Sequence, residues 1–188
     1  MSTATYYDRH VERLFDVVER LARALKAAGI EYRLVGWFAV YLHVNARDET
    51  AARLTRDVDV AVQREDLERI GAAVEPASFQ LRHAGGVDLL IDDRSPKRSS
   101  AVHFVFIGEK VRPDHLIPVP DASPIETTEE GFNLAPVQDL VRMKLTNFHL
   151  KDQVHIQDMD AVGLITKDIE ESLPSPLLER LQQVREAE

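Results

Sequence analysis

Apolar side chains recur at three- and four-residue intervals near the start of the chain: Val11, Leu14, Phe15, Val18, Leu21, Ala22 and Leu25. This spacing is one stripe of an amphipathic helix and predicts a helix over residues 6–28, stopped by Gly29. Residues 31–35 then predict a short strand. Gly36 and Trp37 follow it, and residues 38–44 return to a helical pattern. A strand that turns on a glycine into a helix leaves backbone N–H groups facing outward at the helix start, where an anion can bind. An ordinary tight turn would need the glycine equally. The period then drops to two. Val58, Val60 and Val62 alternate with Asp57, Asp59 and Ala61, so a strand here carries valines on one face and both carboxylates on the other.

Further along, residues 65–73 predict a helix, broken over 75–78. Residues 79–82 and 87–91 predict two strands joined by a glycine-bearing loop. Residues 101–107 are the strongest strand pattern in the chain, with Val111-Arg112 as a further hairpin partner. Residues 113–136 contain Pro113, Pro118, Pro120, Pro124 and Pro136 and predict a long connection with little regular structure. Helices are expected over 137–150, 152–164 and 176–185, the last as an exposed tail. In the first of these, Val137, Leu140, Val141, Leu145 and Phe148 form the apolar stripe, and Lys144 falls near its centre.

Composition narrows the picture. The chain has 188 residues, 44% hydrophobic and 29% charged, enough for a substantial core in one domain with a helical extension. It has no cysteine, which removes disulfides and thiolate metal sites. Residues 1–10 are polar and lack an apolar signal core, and no apolar run is long enough to span a membrane. The expected location is the cytoplasm. A net charge of −9 disfavours broad, non-specific nucleic-acid binding. It leaves room for a local basic patch built from Arg53, Arg56, Lys97, Arg98, Lys110 and Arg112.

Asp57 and Asp59 are the main candidates for chemistry. Like charges on one strand face repel each other, and a divalent cation neutralises such a pair. A solvated edge strand would account for them equally. Lys144 reads either as a phosphate-facing cation or as a lysine snorkelling from the rim of an apolar face. Lys151, Asp152 and Asp158 read as solvated helix charges, and the spacing of His149, His155 and Asp158 fits no metal-ligand pattern. His103 reads as a general base or as a hydrogen-bonded core histidine.

Taken in order, the chain runs strand, Gly36-Trp37, helix, then Arg53-x-Thr55-x-Asp57-x-Asp59 on a strand. A β-rich middle follows, and then a helix with Lys144, Lys151-Asp152 and Asp158. Over about residues 30–165 this resembles the nucleotidyltransferase superfamily, which includes the polymerase-β-like enzymes. It is most similar to the small bacterial branch related to AbiEii-type toxins. The resemblance implies an α+β fold: a mixed sheet with flanking helices and a C-terminal helical part. It places the nucleotidyltransferase-like core over 1–135 and the helical part over 136–188.

The activity implied is transfer of a nucleoside monophosphate from a nucleoside triphosphate to a protein, RNA or small-molecule acceptor. Mg²⁺ would be held by Asp57 and Asp59. Gly36, Trp37, Arg53, Thr55, Arg56, Lys144, Lys151 and Asp152 would hold the nucleotide, and His103 would join the aspartates in catalysis. The sequence departs from the family pattern twice. Trp37 stands where the family prefers Gly or Ser. The strand over 101–107 offers His103 where active members place a third carboxylate, with Asp88 as a possible substitute. The alternative is a catalytically degenerate protein of the same fold, acting as a nucleotide-binding module or as half of a toxin–antitoxin pair.

Overall fold

The computed structural model describes residues 3–51, 57–95, 101–121 and 125–187, with the backbone alone for residues 3–10. Helix α1 (Thr3–Ala27) leads into β1 (Arg33–Val35), and α2 (Gly36–Asn45) follows without a gap. Next come β2 (Val58–Val62), α3 (Leu67–Val74), the hairpin β3 (Phe79–Ala84) and β4 (Val87–Asp92), and β5 (Val102–Phe106). The short strands β6 (Glu126–Thr127) and β7 (Asn133–Leu134) precede α4 (Val137–Asn147), α5 (Leu150–Ala161), α6 (Lys167–Glu171) and α7 (Ser175–Glu186).

Among the described residues the strands form one mixed sheet of order β3-β4-β5-β2-β1-β7-β6. At its centre β2 pairs antiparallel with β1 and parallel with β5. Residues that face each other across a ladder share a sheet face. Val60 pairs with Leu34 and with Phe104, all buried, so this face belongs to the core. The opposite face carries Asp59, with Val35 beside it on one strand and His103 on the other. Helix α1 adds Leu14, Val18, Leu21 and Leu25 to the buried cluster, and Phe15 packs edge-on against Phe38 of α2 at 5.5 Å. Arg20 ties α1 to the far strands. It donates to Asp92 at 2.8 Å and to the Ala77 carbonyl at 2.7 Å, with its guanidinium over the Phe79 ring.

Several expectations are corrected. The β3–β4 turn is only Gly85-Gly86, and both strands extend into the residues expected as loop. Val111-Arg112 forms no strand. Residues 109–119 instead loop out and return, closed by Gly108 N–H donating to Val119 O and Val119 N–H donating to Glu109 O. The proline-rich connection contains β6 and β7, and β7 joins the sheet through Leu34 opposite Leu134. Helix α7 is no exposed tail. Leu177, Leu181 and Val184 are buried, and Arg180 donates to the Leu145 and Thr146 carbonyls at the end of α4. Those carbonyls lack partners within their own helix, so α7 supplies the C-terminal cap. No helix among the described residues is long and apolar enough to cross a membrane.

Candidate active site

The geometry around Asp59 follows from the register. Strand β1 ends at Val35, opposite Asp59, and the chain turns at Gly36 directly beneath the Asp59 carboxylate. The glycine is required here twice. Its φ is +67°, and a Cβ at this position would lie 1.9 Å from Asp59 Oδ2. Helix α2 begins at Gly36 with no side chain capping its start and no acidic residue in its first turn. An uncapped start leaves N–H groups for a ligand anion. Trp37 sends its ring away from this turn onto His155 of α5, with centroids 4.8 Å apart. The tryptophan is therefore accommodated without filling the space above Gly36.

On the other side of Asp59, His103 Nδ1 approaches Asp59 Oδ1 at 3.7 Å, and each side chain is about one-third exposed. Asp57 lies just before β2, exposed, and its charge acts on Asp59. Asp88 does not join them. Leu89 is the β4 residue opposite His103, so Asp88 points to the other sheet face, where its carboxylate pairs with His83 at 2.7 Å. No group of three His, Cys, Asp or Glu side chains able to hold a metal occurs among the described residues.

A cavity of about 210 Å³ opens from this face. Val35, Gly36, Asp59 and Val105 form its floor, and α4 contributes Leu140, Met143 and Lys144. Lys151 and Asp152 reach it from the start of α5, and the 109–119 loop closes the remaining side. Lys144 is only 7% exposed. Its Nζ donates to Asp152 Oδ1 at 3.2 Å, and the other oxygen of Asp152 accepts from the His149 backbone N–H at 3.3 Å. The predicted cation thus borders the cavity as one member of a buried ion pair. Arg53, Thr55 and Arg56, and Lys97 and Arg98 with them, lie outside the described residues.

Burial pushes the Asp59 carboxyl above the ordinary carboxylate range, and the Asp57 charge pushes in the same direction. Lys144, His103 and Lys151 oppose the shift. A raised carboxyl pKa means that the folded chain binds the proton more tightly than the unfolded one. The stability from this group is therefore fully present below the unfolded value of about 3.9 and is lost as pH rises through the folded value. Asp59→Asn removes this dependence. In metal-free buffer the variant is expected to be more stable than the parent at pH 7 and to show a flatter stability–pH curve in urea titrations. An unchanged curve would mean that Asp59 sits comfortably as an anion.

The residues present suit one Mg²⁺ ion. This cation takes oxygen ligands and is usually held by one or two carboxylates, completed by phosphate and water. Two neighbouring aspartates match that demand, and a bound cation would favour the charged form of Asp59 that burial disfavours. His103 contributes nitrogen, which Mg²⁺ does not favour.

No protein-family model matches the chain, and no curated protein matches it in sequence. Solved structures do match in three dimensions. An antigenic nucleotidyltransferase-like protein from Paracoccidioides brasiliensis superposes with a TM-score of 0.62 at 16% identity, covering 94% of this chain and 88% of its own. The chain has the nucleotidyltransferase fold. The antibiotic-resistance factor ANT(2'')-Ia gives a TM-score of 0.48 at 10% identity, over 95% of this chain and 85% of its own. JHP933 from Helicobacter pylori gives 0.47 at 11%, over 100% and 94%. Sequence reasoning missed one residue of this site. His115, in the proline-rich connection, lines the cavity at 8% exposure.

Proposed function

We propose that the protein is a Mg²⁺-dependent nucleotidyltransferase that moves a nucleoside monophosphate from a nucleoside triphosphate to an acceptor hydroxyl or amine. The observation that carries this reading is the close stacking of the Asp59 carboxylate on Gly36 at the uncapped start of α2. A metal-binding carboxylate and an anion-binding helix start there adjoin one cavity. Asp57 and Asp59 would hold Mg²⁺, which supplies charge neutralisation on the phosphates. The α2 backbone N–H groups would hold terminal phosphate oxygens. Lys144 and Lys151, both on the cavity wall, would offset the remaining phosphate charge, and Arg53, Thr55 and Arg56 would assist from the preceding segment. His103, 3.7 Å from Asp59, would take the acceptor proton. The ordered motif from Gly36 to Asp158 favours the branch related to AbiEii-type toxins, with Mg²⁺ and cytoplasmic placement as in the sequence reading.

A second reading has its own support. His103 stands beside Asp59 on the neighbouring strand, where the resemblance implies a third carboxylate, so the fold would bind a nucleotide or a partner, such as the other half of a toxin–antitoxin pair, without turnover.

Calorimetric titration with each of the four nucleoside triphosphates, with and without Mg²⁺, tests the first reading. Binding that needs Mg²⁺ and disappears in Asp57→Asn/Asp59→Asn, while the double variant stays folded, is the expected result. Undiminished binding by the double variant would remove the metal-site assignment. Binding of intact triphosphate with no release of pyrophosphate over a panel of acceptors would favour the second reading.

A further inference from the structure

The cavity is polarised along the sheet. Gly36 and Asp59 lie at the end of β1 and near the start of β2, and Lys144 borders the same space. Two residues further along β2, Ala61 pairs with Val105, and beyond the end of β5 the 109–119 loop returns against the sheet. This second end is lined by Val105, Val111, Ile117, Pro118 and Val119. His115 is the polar side chain that the same loop adds to this wall, and Thr146, Asn147 and Lys151 line the cavity from α4 and α5. More than nine-tenths of His115 is buried, yet its imidazole makes no hydrogen bond to any described residue. Its ring nitrogens are not sealed off: they stay open to the cavity and can bond whatever fills it.

The protonation state narrows the ligand. Burial pushes His115 below the ordinary histidine range, and the nearby cations Arg112, His149 and Lys110 push the same way against Asp114 alone. At neutral pH the ring is uncharged and offers one N–H donor and one nitrogen acceptor. Such a group recognises a neutral polar edge rather than a phosphate. A nucleoside triphosphate has the matching polarity, with a charged end and a flat, uncharged, hydrogen-bonding end.

We infer that His115 is a specificity-determining residue, hydrogen-bonding the edge of the nucleobase held among Val105, Val111, Ile117, Pro118 and Val119. This rests on the nucleotide reading above, and the test separates the two. Dissociation constants for the four nucleoside triphosphates and for inorganic tripolyphosphate would be measured with Mg²⁺, following the fluorescence of Trp37, the chain's single tryptophan.

The unaltered protein is expected to prefer one base. His115→Phe should lose about tenfold in affinity for that nucleotide, the share of one hydrogen bond to a buried group. Its affinities for the other nucleotides and for tripolyphosphate should hold, and His115→Gln should recover part of the loss. If His115→Phe fails to fold, His115→Gln alone should still narrow the preference. Equal affinity of the unaltered protein for all four bases would overturn the inference while leaving the nucleotide reading intact. So would an equal loss for nucleotides and tripolyphosphate, or no change in either variant. Absence of nucleotide and tripolyphosphate binding altogether would overturn both.

Discussion

Gly36→Ala is expected to destabilise the protein by on the order of 3 kcal/mol and to abolish nucleotide binding together with it. Two costs add. Holding a residue with a Cβ at φ +67° costs about 1–2 kcal/mol. The new methyl group also collides with Asp59, whose Oδ2, Cγ and Cβ would lie at 1.9, 2.7 and 2.8 Å, and overpacking of this kind costs about 1–3 kcal/mol. Rotating the carboxylate away relieves only the first two contacts, because the Asp59 Cβ is fixed by β2 between β1 and β5. The substitution therefore pushes β1 from β2 at the point where the carboxylate and the α2 start must stay together. A second change apportions the two costs. Asp59→Gly on the Gly36→Ala background removes the collision and keeps the backbone strain, so about half the stability should return. Asp59→Ala, which retains the Cβ, should return less. Urea denaturation of the parent and the three variants measures this. A Gly36→Ala protein as stable as the parent would refute the close approach itself.

The parts of this site that were legible in the sequence were those with a period. The alternation from Asp57 to Val62 predicts both carboxylates on one face and three valines on the other. The 3.6-residue stripe of α4 placed Lys144 among buried neighbours, where the structure has it at 7% exposure. Elements too short to have a period were not legible. Strands β6 and β7 are two residues each, and β7 exists because the edge of β1 offers Leu34 a partner in Leu134, a tertiary demand that leaves no local pattern. The packing of α7 did have a signal, since Leu177, Leu181 and Val184 recur at four and three residues. The stripe does not say what covers it, and its place after the Pro174/Pro176 break suggests a tail, whereas α7 packs on α4 and α5. His115 carried no signal at all. It lies among prolines and charges, and only the return of the 109–119 loop over the end of β5 gives it a cavity to face. The third-carboxylate position was half legible: the sequence offered His103 and Asp88, and the β4–β5 register decides between them by turning Asp88 to the other side of the sheet.

Lys144→Met is expected to cost about 3–5 kcal/mol of stability, the range found when one member of a buried ion pair is removed. Asp152, at 1% exposure, would keep only the His149 contacts, its backbone N–H at 3.3 Å and its ring nitrogen at 3.4 Å. Loss of nucleotide binding in this variant would by itself say little, because a loosened α4–α5 corner would produce it as well. The informative protein is Lys144→Met/Asp152→Leu. Replacing both charges with apolar groups of similar size removes the stranded anion, and such replacements are commonly neutral or stabilising. Stability should return to near the parent value, as read from the urea midpoint.

Binding of Mg²⁺–nucleoside triphosphate then separates two roles for one ammonium group. If Lys144 serves the phosphates, the stable double variant still binds at least about tenfold more weakly, because a charge-assisted hydrogen bond to an anion is worth about 1.5–3 kcal/mol. If Lys144 only pins α4 to α5, affinity returns along with stability. The pair sits on the wall of the cavity whose floor holds Asp59, and its geometry favours the first outcome. An ammonium held by Asp152 is fixed in place before the ligand arrives, so binding a phosphate need not also immobilise a flexible lysine.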